Sequence, residues 1–515
     1  MVTLKSFLGM IAAVPFIMAC NQTGQVNATL FPASGSENVN PDTHLVLTFS
    51  ETPVLGDSGM IRVYDAVTDQ VVDSLDLSIP SGPTESRTYG PECDYTKVPY
   101  DYTRTVMPTN KDTRPGTPSG TAEPTPPVYQ LTIIGGFTDA FHFYPVIVRD
   151  SIATIYLHNN MLEYGHTYYV TIDNGVLNLA DGSFQGVTKE DEWVFTTKSD
   201  MPELSDTLIV DVAGKGDFNT VQGALDFIPD FNEQQTVILV NPGDYEELVY
   251  TRNKWHVKIK GAGMADTKVH YANNEVFNPH PLTVKTNEWP GTFPSRRAAF
   301  MLDNCKDIVI EDMTIATDLK GQAEGLLING ERIALYRVHI IGSGDALQAN
   351  GTIYMESCEL DGGGDTILGR GSLFAYKSNF RNGGGPFSWV RNTAGNHGNV
   401  FVECTFSTED GKQADYGRTK SNHGSAYPDA EFVLIDCKVK NIIPEGWSSI
   451  GAKTAKMYEY HTCDMVTGNP VDVSKRHPYS RQLTKDKDTE MINNYRNPAF
   501  VLKGWLPDSY MNEIK

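Results

Sequence analysis

Two short stretches of this 515-residue chain match residue for residue in spacing: Gly342-Ser343-Gly344-Asp345 and Gly362-Gly363-Gly364-Asp365. The match continues outward, because Gly351 and Gly371 share the same offset, and each frame follows a short strand-like run, Val338 to Ile341 and then Cys358 to Leu360. A strand, a glycine turn and a strand recurring after 20 residues is the pattern of a solenoid whose coils stack on one another. Stacked strands lie about 4.8 Å apart. Equal offsets in successive coils therefore set Asp345 and Asp365 side by side on one face, where two carboxylates without adjacent lysine or arginine mark a candidate catalytic pair.

The strand runs recur over residues 206 to 515. Taking Met313, Val338, Cys358, Asn379, Cys404 and Cys437 as one column gives steps of 25, 20, 21, 25 and 33 residues, with insertions in loops on one side. Pro386 takes the aspartate offset in the next coil, so the carboxylate ladder is expected to stop at two. Before the strands, Thr220 to Phe227 carries apolar residues at helical spacing and is expected to cap the open end. The fold expected is all-β, a right-handed parallel β-helix.

Residues 21 to 200 read as a separate β-sandwich of immunoglobulin-like type. Leu45 to Phe49, Ile61 to Tyr64, Thr167 to Ile172 and Trp193 to Thr197 are strand-like and separated by turn signals. Residues 81 to 128, rich in Pro, Thr, Tyr and Gly, form an insert expected at the surface, and residues 199 to 205 a linker. The insert's Tyr89, Tyr95, Tyr100 and Tyr102 are either sugar-stacking groups or solvated loop residues.

Residues 1 to 20 read as a leader. Lys5 precedes an apolar stretch from Phe7 to Met18, too short to span a membrane, and Ala19-Cys20 resembles a bacterial lipobox. Lipidation at Cys20 and export to the outer membrane are expected. The formal charge of −22 argues against a nucleic-acid partner. The other six cysteines lack metal-ligand spacing, and most lie in apolar strand runs, so packing is expected, with a Cys404–Cys437 disulfide left open.

The usual nucleophile and cofactor motifs are absent: there is no G-x-S-x-G, H-E-x-x-H or phosphate-binding loop. An aspartate pair on a β-helix leaves a glycosidase or a cation-dependent lyase open. The ordered motifs nevertheless resemble the pectin methylesterases, from Gly243-x-Tyr245-x-Glu247 through Gly321-Gln322-Ala323, Gly344-Asp345-Ala346-Leu347, Gly364-Asp365-Thr366-Ile367-Leu368-Gly369 and Tyr416-Gly417-Arg418 to Tyr458-Glu459-Tyr460 and Trp505-Leu506-Pro507. The resemblance implies a carbohydrate esterase acting on methyl esters at C6 of galacturonate. It implies Asp365 as nucleophile, Asp345 as general acid and then base, Gln322 as oxyanion donor and Arg418 as the cation orienting Asp365. It implies no metal or organic cofactor, a methyl-esterified pectic polysaccharide as partner, and a monomer.

The chain departs from that family in places. Gly344 stands where a second glutamine is expected, leaving Gln348 or a backbone N–H to supply the donor. Thr366, Leu368 and Thr419-Lys420 replace aromatic or Pro-Trp positions, while Arg370 and Lys420 add positive charge. The expected substrate is accordingly more anionic or branched, with Arg370, Trp389, Lys420, Tyr245 and His397 as candidate contacts. His423 is a further loop histidine. A binding protein with weak activity is the rival of another class.

Overall fold

The computed structural model describes residues 26–83, 129–137, 141–278, 296–420 and 426–507. Cys20, Cys93, the four insert tyrosines and His423 lie outside them.

From Thr207 to Gln482 the chain forms one 21-stranded sheet in which every strand pairing is parallel, wound into a β-helix. Its coils present three faces. One face stacks Val249–Arg252, Phe300 to Asp303, Leu326 to Asn329, Leu347 to Asn350, Ile367–Gly369 and Ser388–Val390. Leu302, Leu326, Ile328, Leu347 and Ile367 point inward and join a buried core running the length of the solenoid. Val221–Phe227 forms the expected end cap, with Thr220 Oγ1 accepting from the N–H of Gly223.

The strand column differs from expectation at one coil. Cys358 lies in register with Ser378, not Asn379, since Glu359 pairs with Asn379. Each member of this column follows a corner residue in the left-handed region: Asp312, Arg337, Ser357, Lys377, Glu403 and Asp436. These corners carry no glycine and so give no sequence signal. The correction puts Phe380 in the core and Arg381 outside, where it pairs with Asp361 and Glu359.

The five described cysteines are unpaired thiols. Cys404 and Cys437 do stack on neighbouring coils, and burial pushes the Cys404 thiol up to about 12. Helices Lys485–Arg496 and Pro498–Val501 cover another face through Ile492, Tyr495 and Val501.

The described residues between Val26 and Thr197 form two facing sheets, one of four strands and one of five, around a core that includes the fully buried Trp193. This module is joined firmly to the solenoid cap. The Asp42 carboxylate accepts from the backbone N–H groups of Asn219 and Thr220, Asn40 bonds Asn219, and Arg149 pairs with Glu246. A hairpin of Leu131–Thr132 and Phe141–His142 leaves the sandwich, and the His142 N–H donates to Asn278. Among the described residues no helix is long and apolar enough to cross a membrane.

Candidate active site

Register brings the two aspartates together as expected. Leu347 pairs with Ile367 on adjacent coils, which aligns Asp345 with Asp365 two residues earlier, and the N–H of Gly364 donates to the Gly344 carbonyl. Their surroundings differ sharply.

Asp365 sits in a two-pronged grip. Arg418 Nε donates to Oδ1 at 2.9 Å and Nη2 to Oδ2 at 2.5 Å. A bidentate guanidinium fixes a carboxylate in both position and angle. Arg418 belongs two coils further on, in register with Trp389, which itself pairs with Leu368. Its guanidinium crosses the Trp389 ring at 4.4 Å from the centroid to reach Asp365. Arg391 lies 4.3 Å from the same centroid. Trp389 therefore acts as a spacer and stacking surface for arginines on the floor of the site.

Asp345 has a different neighbour, which sequence reading missed. Arg297 Nη2 approaches its Oδ2 at 3.1 Å. The same guanidinium is held by Glu324, with Nε at 2.9 Å from both carboxylate oxygens and Nη2 at 2.6 Å from Oε1. Much of its charge is thus matched by Glu324, whose side chain is fully buried. Burial raises the Asp345 carboxyl to about 7; Arg297 opposes this, while Glu324 and Asp365 add to it. Asp345 is therefore a proton donor near neutral pH, beside an aspartate paired with arginine.

Gln322 lies at the edge of this cluster. Its Oε1 accepts from Arg297 Nη1 at 2.5 Å, which leaves the amide N–H2 to donate elsewhere. At Gly344, a Cβ would come 2.9 Å from the Gly321 carbonyl oxygen. The turn that carries Gln322 thus approaches too closely for a glutamine at 344. Gln348, by contrast, sits on the outward face, only 3% exposed, and its Oε1 has no hydrogen-bond partner among the described residues. Trp389 Nε1 is likewise buried without one. Two orphaned polar atoms on one floor suit a polar ligand.

The carboxylate ladder does not end where expected. Pro386 does align with Asp365, but it pairs in turn with Asp415. Burial raises Asp415 to about 6, helped by Asp365 and opposed by a Ser448 hydrogen bond and Arg418. A step of 29 residues from Pro386 to Asp415 hid it from repeat counting.

Two expected contacts are misplaced. Tyr245 is a core residue, 2% exposed, in register with Val269, and its hydroxyl donates to the Asn241 carbonyl at 2.9 Å. Its neighbour Glu247 accepts from the N–H groups of Val221 and Gln222, so this early motif fastens the capping helix. His397 binds the Glu431 carboxylate at 2.7 Å and packs 4.3 Å from Phe500 beneath the C-terminal helices, away from the aspartates. Arg370 lies one coil from Arg391 and stacks 5.4 Å over Tyr427. Lys420 is exposed, and its carbonyl accepts from Arg418 Nη1 at 3.4 Å.

The described residues that approach metal-site spacing are Glu246, His270 and Asp318, at the module boundary. Arg149 lies against Glu246 and Asp318, and His270, raised to about 9 by carboxylates on both ring nitrogens despite burial, is itself cationic. Arg149 and His270 thus pair directly with the carboxylates of this cluster.

Comparison with known proteins places the chain in a family. The family model described as Pectinesterase matches residues 207–504, more than half of the chain. Pectinesterase QRT1 of Arabidopsis thaliana is 26% identical over 58% of this chain and 80% of its own length. Probable pectinesterase 67 of the same plant is 22% identical over 61% and 92%. Among solved structures, the pectin methylesterase from carrot has a TM-score of 0.48 at 17% identity, covering 60% of this chain and 97% of that one.

Proposed function

The chain belongs to the pectinesterase family, and on that premise we propose how its residues remove methyl esters from galacturonate C6 of pectin. Asp365, oriented by Arg418, attacks the ester carbonyl carbon. Gln322 and Gln348 donate to the oxyanion that forms. As the tetrahedral species collapses, Asp345 gives its proton to the departing methoxide, and methanol leaves an acyl–Asp365 anhydride. Asp345, now a carboxylate, takes a proton from water as the water's oxygen attacks the galacturonyl carbonyl. That step releases the acid and restores both aspartates. The observation that carries this reading is the split between two adjacent carboxyls, one gripped by Arg418 and the other buried beside an already matched Arg297.

Methanol release from methyl-esterified pectin tests the reading. Methanol without chain cleavage supports it; chain cleavage instead points to a glycosidase or lyase, and binding without methanol to the rival binding protein. The positive groups Arg370 and Lys420 and the absence of an aromatic at Leu368 support a preference for branched or more anionic pectic regions. Within the same proposal, the two-sheet module is immunoglobulin-like, and Cys20 anchors an exported monomer to the outer membrane.

Two further outcomes follow. The rate kcat/KM should fall above about pH 7 as Asp345, raised to about 7, loses the proton it donates. The sign for stability is consistent: between the ordinary carboxyl value and about 7 the folded state holds a proton the unfolded state has lost, so Asp345's contribution falls as pH rises through that window. A pH–rate profile flat from 6 to 9 would contradict this. Second, Gln348→Leu removes a buried amide whose oxygen has no protein partner, so Tm should hold or rise while kcat drops about 100-fold. Unchanged kcat would remove Gln348 from the oxyanion site.

A further inference from the structure

The outward-facing residues of the catalytic face form one row, from Tyr250 through Met301, Leu327, Gln348, Leu368 and Trp389 to Arg418. On an open face such positions meet solvent. Here Tyr250, Met301 and Leu327 are each 0% exposed, Gln348 and Leu368 are 3% and 4%, and only Trp389 and Arg418 are partly open. Burial is therefore graded along the solenoid axis, complete on the N-terminal side of the aspartates and relaxing on the C-terminal side.

The N-terminal module supplies cover on the closed side. Phe141 and Phe137 pack on the Tyr250 ring at 4.6 and 5.8 Å between centroids, and with Ile134 they share one apolar cluster with Met301 and Leu327. The approach is backbone to backbone. A Cβ on Gly135, which has a φ of +63°, would lie 1.7 Å from the Tyr250 carbonyl oxygen. Gly135 is thus fixed both by its left-handed conformation and by contact. The hairpin is further tied down by His142 to Asn278 and by Arg252 over the Phe137 ring at 4.7 Å.

We propose that this hairpin of the N-terminal module walls off the substrate groove on the N-terminal side of Asp345, making the enzyme selective for esters at or near one end of a galacturonan chain. The proposal rests on the esterase reading above. Successive coils are about 4.8 Å apart, close to the length of one uronate residue. Leu327 is the coil next to Gln348, so the row beneath the chain is covered by apolar side chains within about one sugar of the reacting ester. An extended polymer has nowhere to continue on that side, whereas on the other side it runs over Leu368, Trp389 and Arg418. Terminal recognition by a blocked groove is a shape restriction, and it discriminates by excluding the longer ligand.

The test compares methanol release by the full chain from one methyl-esterified galacturonan before and after partial depolymerisation into short oligomers, at equal ester concentration. The expected result is an initial rate at least about tenfold higher per ester on oligomers, rising in proportion to the number of chain ends. Equal rates per ester overturn the proposal. No methanol from either substrate overturns the esterase reading, and this proposal with it. The double variant F137A/F141A assigns the wall. If its melting transition is retained, the oligomer preference should shrink toward unity, and an unchanged preference in a folded variant overturns the hairpin's role. If the variant does not fold, the chain-length comparison still decides the selectivity.

Discussion

Asp365→Ala is expected to lower methanol release by at least about 10,000-fold while leaving the melting temperature within a few degrees. The activity loss follows from its proposed role as the group that bonds to substrate carbon: Asp365 is partly open and held by the two prongs of Arg418, whereas Glu324, likewise gripped by Arg297, is fully buried. The small stability effect follows from the site's position on the outside of the coil. Ala346 and Thr366, the next residues, carry the packing at 0% exposure. Arg418 loses one partner but keeps the Trp389 ring and the Lys420 carbonyl. Asp365→Asn should be nearly as inactive, since an amide is not a nucleophile for an ester. Methanol assay of both variants, with thermal melts, checks this; retained turnover above about 10% would remove Asp365 from the chemistry.

Arg297→Met is expected to be the most damaging single change to the site's structure. It leaves Glu324, with its side chain at 0% exposure, and Asp345 without their cation. Breaking a buried pair from one side costs about 3–5 kcal/mol because the remaining charge has no counterpart. A readout that plain destabilisation would not move is the pH profile. Arg297 is the largest influence holding Asp345 down against burial. Its removal should move the alkaline limb of kcat/KM upward in pH, and Arg297→Lys should restore part of both properties. An alkaline limb that stays at the wild-type position in Arg297→Met would show that Asp345 does not set it. The double variant Arg297→Met/Glu324→Leu should recover stability and bring the alkaline limb back toward its wild-type position, since matched removal takes away the unpaired charge and Glu324 raises Asp345 as Arg297 lowers it.

The site's core was legible because equal glycine frames encode equal offsets. Gly344-Asp345 and Gly364-Asp365 recur after 20 residues, and parallel stacking converts equal offset into adjacency. Arg418 and Gln322 became legible through a family resemblance, since their contacts cross several coils. Arg297 and Glu324 were not. Glu324 lies one coil before Asp345 in the same column and directly after Gly321-Gln322-Ala323, but without a glycine frame of its own, and Arg297, 48 residues before Asp345, reaches both only in the wound chain. Asp415 was hidden by an insertion that lengthened its coil. Tyr245 and His397 show the opposite error: a motif and a glycine-rich loop looked functional, but burial makes Tyr245 a core residue and Glu431 makes His397 a packing partner. The one-residue slip at Asn379 arose because the coil corners use left-handed Lys377 and its counterparts rather than glycine. The module's hairpin had no signal, because its meaning depends on what it covers.

The central claim is a covalent acyl–Asp365 intermediate, and partitioning to a second nucleophile tests it most directly. Methyl- and ethyl-esterified galacturonan would be hydrolysed in the presence of a fixed concentration of hydroxylamine, and the ratio of galacturonyl hydroxamate to free acid measured for each. If both esters pass through the same acyl-enzyme, the leaving alcohol has gone before partitioning, and the two ratios are equal even where the two rates differ. Ratios that change with the alcohol would mean that water and hydroxylamine attack the ester itself, and would contradict the role given to Asp365.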